Sequence, residues 1–232
     1  MKRREFIKNT GLGAGSLFTA GSFVTILAAC NKNNMMDGGD MNMGGQPVPV
    51  IEGNFNRLLP IPNTVSGNTT LAAQATTANI NGSNISVLGY QANDILGPAI
   101  RVNSGINTNI NFQNDLSEKS NIHWHGLKIP ANMDGHPAAL VNPGSSFNYQ
   151  FTINQRAGLC WYHPHPDRAT GRQSFQGLAG LFIINDAEEA ALNLPTGIYE
   201  IPLVIQDKRL TSSGITYNPS MGEVMSGYMG ET

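Results

Sequence analysis

Short apolar and β-branched segments, broken every few residues by Gly, Pro, Asn or Ser, run through this 232-residue chain from residue 47 onward. Six of them predict strands, at residues 69–80, 85–90, 99–102, 106–112, 147–153 and 178–184. Residues 106–112 partly alternate apolar and polar side chains, which is the period of a half-buried strand. No segment carries a long 3.6-residue apolar period, and residues 187–192 predict one short helical turn. The pattern therefore predicts an all-β fold, an antiparallel sandwich or barrel.

The composition is typical of a folded β-rich protein and excludes some functions. Hydrophobic residues make up 40% of the chain and charged residues 13%, which is too apolar a balance for a disordered protein. The formal net charge of −2 offers no basic surface for DNA or RNA. The 26 glycines and 13 prolines supply the many short turns that a sandwich or barrel needs.

The first 30 residues have the pattern of an export signal. Arg3 and Arg4, followed by Glu-Phe-Ile-Lys, resemble the twin-arginine signal that exports folded proteins. A mild apolar stretch then ends in Leu-Ala-Ala-Cys at 27–30, which resembles a lipobox, so Cys30 is the predicted lipidation site. The alternative is an uncut membrane anchor, although its glycines and serines make a weak span. Either arrangement predicts a membrane-anchored protein in the periplasm or on the cell surface.

The rest of the chain divides by composition into three parts. Residues 31–46 are rich in Met, Gly and Asn and predict a flexible tether, whose methionines are either inert or soft ligands for Cu(I). Residues 47–192 are the predicted first domain. Residues 193–232 predict the start of a second domain, opened by a strand at 199–206, that the chain does not complete.

Four of the five histidines form two pairs with the same spacing, His123 with His125 and His163 with His165. On a strand, residues i and i+2 point to the same side, so each pair presents two imidazoles while the residue between them, Trp124 in the first pair, turns toward the core. If the two strands lie close together, the four imidazoles converge. Neutral imidazole binds copper, zinc, iron and nickel, and the spacing alone predicts a copper or zinc site. A single pair would more simply be chance, whereas two pairs indicate a metal site.

The motifs around the histidines resemble those of the multicopper oxidases. These are Asn-Ile-His-Trp-His-Gly-Leu at 121–127, Gly-Leu-Cys-Trp-Tyr-His-Pro-His at 158–165, Thr-Gly-Arg-Gln at 170–173 and Gly-Leu-Ala-Gly-Leu at 177–181. The likeness is strongest to the bacterial periplasmic cuprous oxidases and to bilirubin-oxidase-like and laccase-like members. It implies a cupredoxin-like Greek-key domain at 47–192, the first of three, and a copper-dependent oxidoreductase that reduces dioxygen to water.

The resemblance also implies roles for individual residues. It makes His123 a ligand of the type 2 copper, and His125, His163 and His165 ligands of the type 3 pair. Asp134 matches the position of an acid that delivers protons to this trinuclear cluster.

Two further residues near these motifs receive no role in metal binding. His136 lies outside the ligand pattern and is predicted as a solvated loop residue. Cys160 matches no ligand and is predicted as a buried structural thiol, without a disulfide because Cys30 belongs to the signal.

The family's type 1 copper and its remaining cluster ligands lie in a C-terminal cupredoxin domain, and no further histidine follows His165. The chain by itself is therefore expected to bind half of the cluster and not to turn over. Its reductant stays open among Cu(I), phenols, bilirubin-like pigments and Mn(II). The alternatives are a non-catalytic copper-binding lipoprotein, a cupredoxin-like structural scaffold and, least favoured, a zinc hydrolase, because no acidic base lies in a zinc motif.

Overall fold

The computed structural model of the chain describes residues 59–212, 214–228 and 230. The predicted signal at 1–30, with Arg3, Arg4 and Cys30, and the predicted tether at 31–46 lie outside the described residues, so the predictions for them stay predictions. In the described part, no helix combines the length and the apolar character needed to cross a membrane.

Eleven strands and three short helices build the described part. In chain order the strands are β1 (Thr64–Val65), β2 (Asn68–Ile80), β3 (Ser83–Gly89), β4 (Ala99–Asn103), β5 (Asn107–Asn114), β6 (His123–His125), β7 (Ser146–Thr152), β8 (Gly158–His163), β9 (Gly180–Asn185), β10 (Leu210–Thr211) and β11 (Gly214–Ile215). The helices are α1 (Thr170–Phe175), α2 (Ala187–Ala190) and α3 (Met221–Ser226), and single 3-10 turns lie at Ala131–Met133 and Gly197–Tyr199.

The strands form two large sheets that share one core. One sheet has the order β1-β4-β9-β8-β6 and the other the order β3-β2-β5-β7, while β10 and β11 form a separate hairpin. Trp124 of β6 is fully buried and lies 5.4 Å, between ring centroids, from both Tyr149 and Phe151 of the opposite sheet. Its ring also contacts Tyr162 and Phe182 of its own sheet, both at 5.8 Å. The histidine-bearing strand is therefore anchored in the sandwich by its middle residue, as predicted.

The six predicted strands are confirmed, with ends shifted by two residues at most, and the predicted helical turn is confirmed as α2. The predicted antiparallel direction holds only for part of the fold. Strand β1 pairs with β4, β4 with β9 and β2 with β5 in parallel, so both sheets are mixed. The alternation of side chains reports which face of a strand is buried and carries no information on its direction.

The strand predicted at 199–206 is wrong. A 3-10 turn occupies Gly197–Tyr199, and the residues that follow have no strand structure up to the start of β10. Apolar residues are present, with Ile201, Leu203 and Ile205 all exposed, but no strand of the described part pairs with this segment and Pro202 offers no N–H. Whether a second domain begins at residue 193 stays a prediction.

Candidate metal centre

The register of β6 against β8 places the two histidine motifs side by side. The strands are antiparallel, with His123 opposite His163, Trp124 opposite Tyr162 and His125 opposite Trp161. Directly opposite residues share a face of the sheet, so Trp124 and Tyr162 point into the core and the histidines point away from it. Trp124 and Tyr162 are both fully buried. The core thus holds the strand pair and fixes which face presents the imidazoles.

Four imidazoles converge on this face. The ring of His123 lies 5.6 Å from that of His125 and 5.3 Å from those of His163 and His165, between centroids. The nitrogen atoms of His123, His125 and His163 that could bind a metal all lie within 4.8 Å of one another. The structure therefore brings together all four histidines that the sequence selected, three of them in one tight group.

The peptide backbone of Asp134 sets the orientation of the His123 ring. Nδ1 of His123 lies 2.9 Å from the carbonyl oxygen of Asp134 and 3.1 Å from its carboxylate Oδ1. A carbonyl oxygen only accepts, so Nδ1 carries the proton and donates it, and the lone pair is left on Nε2. Outer partners of this kind fix the tautomer and the direction of a metal-binding histidine. The Asp134 side chain is 33% exposed, so its carboxylate touches both the histidine and solvent.

His163 is the buried member of the group. Its Nδ1 donates to the carbonyl oxygen of Pro164 at 2.9 Å, and its Nε2 lies 3.3 Å from Nδ1 of His125. Burial, and then the nearby imidazoles, lower the pKa of His163 to about 4. The ring is therefore neutral at any pH above about 5 and needs to lose no proton before it can bind a metal.

Trp161, whose ring is partly exposed to solvent, packs against two of the imidazoles. The sequence did not reveal this role. Its ring stacks on His163 at 4.2 Å and on His125 at 4.9 Å, with interplanar angles of 29° and 27°. It lies two residues before His163 on β8, on the same face, and 38% of its side chain stays exposed. The i, i+2 rule that paired the histidines could have identified it.

His165 reaches the group from a loop and not from a strand. Strand β8 ends at His163, so the side chain of His165 is not directed by strand geometry. Its backbone N–H donates instead to Oδ1 of Asn121 at 2.7 Å. Its Nδ1 is buried and has no hydrogen-bond partner among the described residues. A buried polar atom without a partner is costly, and a bound metal ion would satisfy it.

The two residues predicted to lie outside the ligand set are placed outside it. His136 is exposed, and its Nδ1 accepts from the N–H of Ala138 at 3.1 Å. Cys160 lies on β8 one residue from Trp161, on the opposite, core-facing side. It packs at the edge of the core and is only half-buried, so the predicted burial of the thiol is wrong. Desolvation raises the pKa of this thiol, which keeps it neutral.

This donor set suits copper. Neutral imidazoles are good ligands for copper. Nε2 of His123, Nε2 of His163 (3.3 Å from Nδ1 of His125) and the unsatisfied Nδ1 of His165 could bind a metal ion. The hydrogen bonds that fix the first two rings use their other nitrogens. In chemical terms the site is a cluster of histidines on one face of a β-sandwich that could hold a transition metal.

Comparison with known protein families identifies the class of this sandwich. The family model described as multicopper oxidase matches residues 72–189, and the chain belongs to that family. Its fold is the cupredoxin-like sandwich of these proteins. The computed structure resembles the McoA multicopper oxidase of the hyperthermophile Aquifex aeolicus with a TM-score of 0.68 and 37% identity, over 76% of this chain and 40% of that one.

Two curated relatives carry different names. The multicopper oxidase mco of Staphylococcus epidermidis is 36% identical over 71% of this chain, and the match covers 36% of the relative. The cell division protein FtsP of Sodalis glossinidius is 37% identical over 59% of this chain and 29% of its own length. The chain thus spans about a third of the curated relatives that it matches.

Proposed function

We propose that this chain supplies four copper ligands to the dioxygen-reducing centre of an exported multicopper oxidase. The observation that carries the proposal is the convergence of His123, His125, His163 and His165 on one face, where Nδ1 of His165 is buried without a hydrogen-bond partner among the described residues. In this proposal His123 binds the type 2 copper and the other three histidines bind the type 3 pair. The remaining ligands and the type 1 copper belong to C-terminal cupredoxin domains of the same protein.

Copper held by these four histidines would supply one-electron redox chemistry toward dioxygen. The protein residues hold this centre and handle protons. The Asp134 carbonyl oxygen and the Pro164 carbonyl oxygen orient His123 and His163. Trp161 stacks on His163 and His125 and limits the access of bulk water to these two rings. The carboxylate of Asp134, in contact with both solvent and His123, accepts protons from water and releases them at the site.

The reductant is oxidised at the type 1 copper, so the residues described here do not select it. The four imidazoles take part only in the reduction of dioxygen, so Cu(I), phenols and pigments all remain compatible with them as reductants. Cu(I) has one argument in its favour from the sequence, because residues 31–46 contain four methionines, which are soft ligands.

A non-catalytic role is the second candidate. The relative named for cell division shows that the similarity extends beyond proteins named as oxidases. A scaffold would have no need of free imidazole nitrogens, whereas a copper-binding lipoprotein would keep them without a type 1 copper. Oxygen consumption by the protein that carries all domains distinguishes the oxidase from both alternatives.

Copper binding by the 232-residue chain tests the proposed site. The wild-type chain is expected to bind Cu(II), weakly because each ion keeps water in its open positions. His125→Ala should lower the affinity at least tenfold, the lower end of the roughly 10–100-fold lost even when an outer partner is removed. His125 is exposed, so this change should leave the fold intact. Competition with a chromophoric chelator measures the dissociation constants.

His136→Ala is the matched control, because His136 is an exposed histidine near the site with no place in the ligand group. It should leave the affinity unchanged. The Cu(II) complex should also lack the intense blue absorption of a copper–thiolate bond, since Cys160 faces the core side of β8. Equal affinities for the two alanine variants, or a blue band abolished by Cys160→Ser, would contradict the proposed ligand set.

We also propose that the protein is a lipoprotein anchored through Cys30 in the periplasm or on the cell surface. The support is the sequence of the first 30 residues alone. Cys30→Ala should abolish incorporation of labelled palmitate, and Arg3→Lys with Arg4→Lys should retain the precursor in the cytoplasm. Normal labelling of the Cys30→Ala protein would show that the lipobox interpretation is wrong.

A further inference from the structure

Asn121 is a fully buried polar residue at the centre of the hydrogen bonds that surround the histidines. Its Oδ1 accepts from the backbone N–H of His165 at 2.7 Å. Its Nδ2 lies 2.9, 3.1 and 3.2 Å from the carbonyl oxygens of Gly135, His136 and Ala139, which share its two N–H groups. One carboxamide thus satisfies four backbone groups from two segments that are far apart in sequence.

These two segments are the ones that strand geometry does not position. The loop after β8 carries His165, and the loop at 134–139 carries Asp134, whose carbonyl oxygen receives the Nδ1 proton of His123. Asn121 lies two residues before His123. A continuous path of hydrogen bonds therefore runs from His165 through Asn121 to the Asp134 loop and on to His123.

Only an amide of this length can make the connection. The link needs an acceptor toward the His165 N–H and donors toward the three carbonyl oxygens at the same place. An aspartate offers acceptors and no donor when ionised, a serine hydroxyl has a single donor, and the longer glutamine would not fit a site with no exposed surface. Loss of the amide would leave several buried backbone groups without partners.

We propose that Asn121 is a positioning residue that sets the separation of His165 from His123, and through it the affinity of the site for copper. The proposal rests on the proposed copper-binding function. Asn121 makes no hydrogen bond to the imidazole ring of any of the four histidines, because its bond to His165 is to the backbone N–H. It fixes the backbone from which one imidazole projects, and the loop whose carbonyl oxygen orients another. Outer-shell contacts of this kind typically contribute 10–100-fold to metal affinity.

A purely structural role for Asn121 is the competing explanation. A second buried asparagine serves as a control that distinguishes a structural role from a role in positioning the copper ligands. Asn114 is also fully buried, and its Nδ2 donates to the carbonyl oxygens of Glu118 and Val141, both at 2.9 Å. Its Oδ1 accepts from the N–H of Leu116 at 3.2 Å. It joins backbone segments as Asn121 does, yet it bonds to neither the His165 segment nor the Asp134 loop.

The experiment compares Asn121→Ala, the isosteric Asn121→Asp and Asn114→Ala in the 232-residue chain. For each variant, three quantities are measured: the melting temperature without metal, the dissociation constant for Cu(II), and the electron paramagnetic resonance spectrum of the Cu(II) complex. Asn121→Asp keeps the volume and the acceptor for His165 and loses the amide donors, so it reports on the site even if the alanine variant unfolds.

Both alanine variants should lower the melting temperature to a similar extent. Only the Asn121 variants should weaken Cu(II) binding, by about 10–100-fold, and change the copper hyperfine splitting. Unchanged copper affinity in both Asn121 variants would overturn the assignment, as would an equal loss of affinity in Asn114→Ala. A wild-type chain that binds no Cu(II) at all would overturn the proposed function, and the assignment with it.

Discussion

Gly135→Ala is expected to destabilise the protein by about 2–5 kcal/mol, a large part of the total stability of a typical domain. Gly135 has a φ of +59°, where a side chain costs about 1–2 kcal/mol. A Cβ there would clash with the backbone carbonyl group of Ile122. That backbone cannot easily yield, because Ile122 is buried and its N–H donates to the Tyr149 hydroxyl at 2.8 Å. Overpacking of this kind typically adds about 1–3 kcal/mol.

Gly144→Ala separates the two contributions. Gly144 also has a positive φ, +71°, but nothing lies within 4 Å of the position that its Cβ would take. Gly144→Ala should therefore lower the free energy of unfolding only by the cost of a side chain in the left-handed backbone region. Urea denaturation should show a clearly smaller loss of stability than for Gly135→Ala. Equal losses at the two glycines would show that the loop at 134–139 does not press against the strand of the first histidine pair.

The strands were predictable because burial on one face imposes a period of two on the sequence. The segment at 106–112, which alternates, lies within two residues of β5, and its neighbours in space, β2 and β7, were also found. The partners and directions of the strands were not predictable. They depend on where the chain crosses between the sheets, and loops that cross carry no periodic signal. The same limit explains the strand wrongly predicted at 199–206, whose apolar residues have no partner strand in the described part.

The first histidine pair and His163 were predictable for the same reason as the strands. Their i, i+2 spacing and the buried Trp124 between the first two follow from strand geometry. His165 lies beyond the end of β8, so it joins the group through a hydrogen bond to Asn121 and not through the predicted alternation. In the sequence, Asn121 is distinguished only as part of the first histidine motif. The value of a buried amide lies in bonds to distant backbone groups, which a sequence does not display.

Asp134→Asn, in a complete oxidase that carries the remaining domains, is expected to lower turnover by about 10²–10⁴-fold while copper content stays at the wild-type value. The structure explains why the two quantities separate. His123 is oriented by the carbonyl oxygen of Asp134, at 2.9 Å, which the substitution keeps. The amide oxygen of asparagine can still accept from the N–H of Trp124, now 3.4 Å from Oδ1. The substitution removes the negative charge of the carboxylate, 3.1 Å from Nδ1 of His123, and with it the ability to take up and release a proton.

Asp115→Asn is the matched control, because Asp115 is an exposed aspartate whose Oδ1 accepts from Gln113 at 2.9 Å, in a loop without a histidine ligand. Its turnover, copper content and melting temperature should all stay at wild-type values. Steady-state oxygen uptake, metal analysis and thermal unfolding measure the three quantities for both variants. If Asp134→Asn loses copper in proportion to its activity, the side chain serves to hold His123 and does not transfer protons. If its turnover equals that of Asp115→Asn, the carboxylate has no part in the reaction.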